Sequence, residues 1–148
     1  MDTIFDKVAI VGLGLLGGSW GLALKKYGLT VRRIGYGRAS TVGRALAADA
    51  VDEGTDDLGK AVRDADLIIL AAPVGAILDC IPRLKEMASS KALVTDVGST
   101  KGFIFNARPF FPGQGMPSQE QWCIAHSLPR ALANEPLGAA HISHQRFR

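Results

Sequence analysis

Apolar residues along the chain gather into short runs at regular intervals: Val8 to Val11, Val31 to Tyr36, Leu67 to Ala71, Ala92 to Thr95 and Trp122 to Ala125. Their length of four to six residues and their β-branched content predict short, buried strands. Between them lie stretches whose spacing suits helices: Leu15 to Tyr27, Val42 to Ala50, Leu58 to Arg63, Ala76 to Met87 and Lys101 to Ala107. Strand alternating with helix predicts an α/β fold of one domain, a doubly wound, mostly parallel sheet with helices on both faces. Gly28, after Lys25, Lys26 and Tyr27, is placed to stop the first helix, with both lysines at its negative end. Asp64-Ala65-Asp66 forms a tight entry into the third strand, and Pro73 ends that strand at the carboxyl edge of the sheet, the edge where open α/β sheets bind ligands.

The pattern changes near Pro109. Beyond it the chain carries Pro109, Pro112, Pro117, Pro129 and Pro136, together with all three histidines, His126, His141 and His144, and little sustained periodicity. This divides the sequence into a domain over 1–113 and a divergent segment over 114–148 that packs on the domain or trails from it.

A chain of 148 residues can bury roughly two-thirds of its unfolded surface, enough for a core without staples. With 47% hydrophobic and 21% charged residues it reads as globular. No apolar run approaches the ~20 residues of a membrane span, and Met1 to Asp6 lacks a basic leader, so a cytoplasmic location without a membrane partner is expected. Cys80 and Cys123 are far apart and without metal-type spacing, which predicts neither a disulfide framework nor a metal site. The net charge of +3 is scattered along the chain and only 7% of residues are aromatic, so no nucleic-acid partner is expected. A small phosphate-bearing ligand accounts for the charge more economically.

The chemistry-bearing motif follows the first strand. Val8-Ala9-Ile10-Val11 breaks into Gly12-Leu13-Gly14-Leu15-Leu16-Gly17 and then a helix-compatible segment, the Gly-x-Gly-x-x-Gly turn of Rossmann-like dinucleotide-binding domains. Gly12 permits the tight turn, Gly14 admits a pyrophosphate to bare backbone, and Gly17 lets the helix pack close to the sheet. The helix start then aims free N–H groups and a positive dipole end at the phosphates. A glycine-rich turn that binds nothing is the bland alternative. At the end of the second strand, where NAD-specific domains place a carboxylate for the ribose 2′-hydroxyl, the chain reads Gly37-Arg38-Ala39-Ser40-Thr41. Without that carboxylate a 2′-phosphate is not repelled, and Arg38, Ser40 and Thr41 can cradle it. NADP is therefore favoured, with NAD the alternative in which Arg38 stacks on the adenine or lies in solvent.

Several blocks together resemble the N-terminal domain of prephenate and arogenate dehydrogenases, enzymes of tyrosine biosynthesis. They are Val8 through Ser19, Gly35-Tyr36-Gly37-Arg38, Ala50-Val51-Asp52-Glu53-Gly54, Ala71-Ala72-Pro73-Val74 and Val94-Thr95-Asp96-Val97-Gly98-Ser99-Thr100-Lys101-Gly102. The resemblance spans about 6–108, and its last block is far more specific than the glycine turn. It implies an NAD(P)-dependent oxidative decarboxylation of a small-molecule substrate, in which hydride passes from the hydroxyl-bearing ring carbon to the nicotinamide. It also implies that Ala72, Pro73 and Val74 line the cofactor cleft, and that Gly98 and Ser99 lie beside the nicotinamide, with Ser99 orienting the reacting hydroxyl. The alternative for Ser99 is a helix N-cap. Asp96 and Lys101 read as a turn hydrogen bond and a surface charge.

The family's Gly-His-Pro-x-Ala-Gly block, whose His takes the substrate proton, is matched here only by His126 and its preceding strand. The flanking residues are Ala125 and Ser127, and the proline is displaced to Pro129. A histidine suits that role because its ordinary pKa of about 6.5 is close to working pH; a structural histidine is the alternative. Family members continue into a helical second domain that builds the dimer and closes the site, which has no counterpart before Arg148. Three readings follow: an NADP-dependent relative of prephenate dehydrogenase, a reductase of a different small carbonyl compound, and a non-catalytic dinucleotide-binding module. Missing walls near the cleft would favour a homodimer or a separate partner domain.

Overall fold

The computed structural model describes residues 3–97. Five strands and four helices alternate: β1 (Phe5–Val11), α1 (Leu15–Lys26), β2 (Thr30–Tyr36), α2 (Ala39–Ala47), β3 (Glu53–Thr55), α3 (Leu58–Val62), β4 (Leu67–Leu70), α4 (Val74–Met87) and β5 (Leu93–Asp96). The strands form one parallel sheet in the order β3-β2-β1-β4-β5. A row across it runs Gly54, Gly35, Ile10, Ile69, Thr95 in register. This is the doubly wound α/β sheet expected from the strand–helix alternation, and the strands at Leu67 and Leu93 are its fourth and fifth rather than its third and fourth.

The shift in count comes from β3, which carries no apolar run: Glu53-Gly54-Thr55 is a short, polar edge strand, and edge strands have no second neighbour to demand hydrophobic residues. Elsewhere the two faces of β1 separate cleanly. Val8 and Ile10 enter a cluster with Trp20 and Leu24 of α1, while Ala9 and Val11 enter one with Val62 of α3 and Ile77 of α4. All four strand residues are 0–1% exposed, as expected of a central strand buried on both faces.

Helix ends explain most of the differences in boundary. α1 ends at Lys26 with Gly28 at φ 61, and Leu29 N–H and Gly28 N–H donate to the carbonyls of Leu24 and Lys25 at 3.0 Å, a Schellman closure. α2 closes the same way, but with Asp49 at φ 58 in the glycine position, so the helix stops at Ala47 and not at Ala50. α2 also starts three residues before Val42, because the Arg38 carbonyl already accepts from Thr41 and Val42 N–H at 2.9 Å. α4 begins directly behind Pro73, at Val74. The Asp64–Asp66 turn has Asp64 at φ 56 and Asp66 accepting both Asp6 and Lys7 N–H at 2.9 Å, tying the β4 entry to β1.

Among the described residues no helix is long and apolar enough to cross a membrane. The anticipated helix Lys101–Ala107, the strand Trp122–Ala125, Cys123 and the segment 114–148 lie outside the described residues.

Candidate functional site

All four helices start at the carboxyl edge of the sheet, because each follows a parallel strand. The tightest part of that edge is the β1–α1 turn. Gly12 has φ +96, and a Cβ there would lie 2.7 Å from the Ala71 carbonyl oxygen. Its N–H donates to the Tyr36 carbonyl at 3.0 Å, so the turn is pinned between β2 and β4. A Cβ on Gly17 would lie 1.9 Å from the Gly12 carbonyl oxygen. Only glycine permits this approach of α1 to its own entry turn.

Gly14 differs from both. Among the described residues a Cβ there would meet nothing within 4 Å, so the packing of 3–97 does not require glycine at this position. Gly14 is the N-cap of α1, with no side-chain cap and no acidic residue in the first turn. The first N–H groups of a 12-residue helix are therefore left without an internal partner, beside a backbone that carries no side chain. That is the arrangement an anionic phosphate needs. Leu13 points away from it, 9% exposed in the α1-side core against Gly35.

Next to this turn is an open, largely apolar cleft of about 370 Å³, lined by Leu15, Leu16, Ala71, Ala72, Pro73, Val74 and Val97. On its rim Leu15 is 87% and Leu16 54% exposed. The structure thus brings Gly14, Leu15, Leu16, Ala72, Pro73 and Val74 to one place. Ala71 and Val97 also line the cleft and were not singled out from sequence. Ala71 read only as the last strand residue, and Val97 was hidden by its position just ahead of Gly98. Val97 is held by its N–H donating to the Leu70 carbonyl at 3.1 Å. Among the described residues no group of His, Cys, Asp or Glu is arranged to hold a metal.

The second corner lies at the end of β2. Gly37 N–H donates to the Thr55 carbonyl at 3.1 Å, and Arg38 is the N-cap of α2 with no side-chain cap. Arg38 and Ser40 are exposed, and no carboxylate follows Tyr36 before the helix begins. Thr41 is different: its hydroxyl donates to the Arg38 carbonyl at 2.8 Å, so its only proton is already used. The same hydroxyl would be 2.9 Å from a Cβ at Gly37, which ties Gly37 to the local packing. A phosphate here would be met by Arg38, Ser40 and the first N–H groups of α2, with Thr41 holding the turn. Gly98, Ser99, His126 and Lys101 lie outside the described residues.

A dinucleotide fits what is present: a bare-backbone helix start for a pyrophosphate, an apolar cleft on one side, and a cationic helix start on the other. The family described as "Prephenate dehydrogenase, nucleotide-binding domain" matches residues 20–111. The chain belongs to that family. The cyclohexadienyl dehydrogenase of Zymomonas mobilis is 37% identical over 100 residues, 67% of this chain and 34% of the relative. The prephenate dehydrogenase of Bacillus subtilis is 33% identical over 133 residues, 86% of this chain and 34% of the relative. This member of the prephenate dehydrogenase family thus spans about a third of the length of the curated relatives it matches. Among solved structures, prephenate dehydrogenase from A. aeolicus in complex with hydroxyphenyl propionate and NAD+ superposes with TM-score 0.66 at 26% identity, covering 74% of this chain and 39% of the other. Synechocystis arogenate dehydrogenase gives TM-score 0.64 at 33% identity over 73% and 38%.

Proposed function

We propose that this chain is the nucleotide-binding part of an NAD(P)-dependent oxidoreductase that oxidises prephenate or arogenate. The observation that carries this is Gly14: a glycine the fold does not need, at an uncapped helix start beside an open apolar cleft. Family membership and relatives named for prephenate, cyclohexadienyl and arogenate dehydrogenation support the substrate class. NADP is the preferred cofactor, on the strength of Arg38 and the missing carboxylate after Tyr36, with NAD second.

In this reading the nicotinamide, when bound, supplies the hydride acceptor. The backbone at Gly14 and the α1 start hold the pyrophosphate, and Arg38 with Ser40 holds the 2′-phosphate. Leu15, Leu16, Pro73 and Val74 exclude water from the reacting end of the cleft. Gly98 and Ser99 flank that end, with Ser99 orienting the substrate hydroxyl, and His126 accepts its proton as the ring carbon gives up hydride and the carboxylate leaves as carbon dioxide. In this reading the nucleotide-binding domain runs over 1–113 and the segment 114–148 packs on it or trails from it.

The test is nicotinamide absorbance with the purified chain, prephenate or arogenate, and NADP+ or NAD+. Reduction of the cofactor with either substrate supports the reading. Cofactor binding without turnover overturns oxidation by this chain on its own in favour of a dinucleotide-binding module, a second reading favoured by the openness of the cleft at Leu15 and Leu16. Turnover confined to small carbonyl compounds with NAD(P)H identifies a different reductase.

A further inference from the structure

The Leu13 side chain leaves the glycine turn and lies over the neighbouring strand. It is 9% exposed, and a Cβ added at Gly35 of β2 would come within 2.6 Å of its Cδ1 and 2.8 Å of its Cδ2. Val51 closes the slot, with its Cγ1 3.1 Å from the same position. A Cβ at Gly37 would lie 3.9 Å from Leu13 Cδ1, so the leucine reaches from Gly35 to the end of β2. The backbone makes the same crossing, since Gly12 N–H donates at 3.0 Å to the carbonyl of Tyr36, between those two glycines. On the other side of Gly37 the Thr41 hydroxyl would be 2.9 Å from that Cβ and donates to the Arg38 carbonyl at 2.8 Å. Leu13 is bonded to Gly14 and Gly37 to Arg38, so one side chain bridges the turns that start α1 and α2.

On the reading that Gly14 and Arg38 hold the two phosphates, we propose that Leu13 is a positioning residue: wedged over Gly35 and against Gly37, it sets the spacing between the pyrophosphate turn and the 2′-phosphate corner, so that one NADP molecule engages both. Its side chain faces the core and acts through the two turns. A ligand held at two points gains from the second contact only when the sites stand at the separation its own skeleton imposes. Here the first phosphate meets backbone N–H groups of α1 and the second a side chain at the start of α2, so no short covalent link fixes their distance. The leucine wedge fixes it before the ligand arrives, which removes an ordering cost from binding. The effect is selective between cofactors. NADH has no phosphate for the corner at Arg38, so its affinity does not depend on that spacing, whereas the affinity of NADPH does.

Fluorescence titration of the full chain with NADPH and with NADH tests this, with urea midpoints to check folding. The wild type is expected to bind NADPH about tenfold or more tighter than NADH, as one charge-assisted contact provides. Leu13→Ala empties the slot and is expected to bring that ratio to within about twofold of one, with NADH affinity nearly unchanged. Adding Arg38→Ala to Leu13→Ala should then cost NADPH nothing further, the non-additivity of two residues that act through one contact. Gly35→Ala reaches the same end by crowding, and it is the second variant should Leu13→Ala not fold. Its Cβ meets the side-chain ends of Leu13 and Val51 and no backbone, so the chain yields by displacing the leucine. A leucine that only fills the core would lower stability and weaken both cofactors alike. A preserved ratio in either folded variant therefore overturns the proposal and leaves the cofactor reading intact. Equal binding of NADPH and NADH by the wild type overturns the 2′-phosphate corner and the proposal with it, and binding of neither overturns the dinucleotide reading as well.

Discussion

Arg33 and Asp52 are joined three times over. The guanidinium Nε and Nη2 donate to the carboxylate at 3.0 and 2.6 Å, and the Arg33 backbone N–H donates to it at 2.8 Å. Nη1 of the same side chain donates to the carbonyls of Gly21, Asp49 and Ala50. Arg33 is 3% exposed, so this one residue ties α1, the α2 exit and the β3 entry to the sheet from inside the fold. Gly21 makes the approach possible, since a Cβ there would lie 1.9 Å from the Ala50 carbonyl oxygen. Asp52→Ala leaves a buried guanidinium with its three carbonyl partners and the more distant Asp49 carboxylate at 3.6 Å. The expected loss of stability is about 2–3 kcal/mol, read from urea unfolding.

The same pair sets the response to acid. The hydrogen bond from Arg33 holds the Asp52 carboxyl below its usual range, as the hydrogen bond from Lys25 does for Asp49. A carboxyl depressed in the folded state contributes stability that is fully present above its unfolded pKa, about 3.9, and is lost as pH falls through the lower folded value. Unfolding free energy is therefore expected to fall below about pH 4, and to fall less steeply in Asp52→Asn than in the wild type. Equal slopes in urea titrations across that window would contradict the assignment.

Gly14 and Gly17 are expected to fail differently. Gly14→Val puts a side chain into space the fold leaves empty, so the chain should fold with an unchanged circular dichroism spectrum and lose dinucleotide affinity by at least about a hundredfold. Gly17→Ala forces a Cβ against the Gly12 carbonyl, so it should lose stability first, by roughly 1–3 kcal/mol of overpacking. A Gly14→Val variant that binds NADPH normally would remove the pyrophosphate from this turn.

Arg38→Ala should weaken NADPH by about tenfold or more and leave NADH nearly unchanged, since a charge-assisted contact to the 2′-phosphate is the only difference between them. Thr41→Val should cost stability rather than cofactor discrimination, because the Thr41 hydroxyl is committed to the Arg38 carbonyl. Fluorescence titration of both variants with both cofactors distinguishes the two outcomes.

Thr95 lies on β5 at 2% exposure, and its hydroxyl has no hydrogen-bond partner among the described residues. Thr95→Val keeps the shape and removes a desolvated polar group, so thermal unfolding should show equal or higher stability, by up to about 1 kcal/mol.

The fold was legible because its core is written as runs: Val8–Val11 and Leu67–Leu70 are apolar on both faces and bounded by glycine or proline. The glycine turn was legible from its Gly-x-Gly-x-x-Gly spacing after an apolar run, although in the fold only Gly12 and Gly17 answer a packing demand and Gly14 does not. What escaped reading depends on contacts rather than pattern. β3 has no hydrophobic period, α2 ends on an aspartate held at positive φ by its neighbours, and Arg33 reads as one more strand cation until burial and Asp52 are seen. Ala71 and Val97 became cleft residues only when two strand ends were set beside α1. Arg38 was placed correctly at the end of β2, whereas Thr41 was legible by position but not by the direction of its hydroxyl.

Of the four helices among the described residues that begin at the carboxyl edge, α3 alone carries its own cap, the Asp57 side chain accepting Lys60 N–H at 3.2 Å. α1, α2 and α4 start with neither a capping side chain nor an acidic residue in the first turn. An anionic ligand at that edge therefore completes secondary structure as well as filling a site. Ligand at a hundred times its dissociation constant adds about 2.7 kcal/mol to folding by mass action alone. Resistance of this chain to proteolysis then becomes a gauge of how much dinucleotide surrounds it, with the empty form the one cleared first.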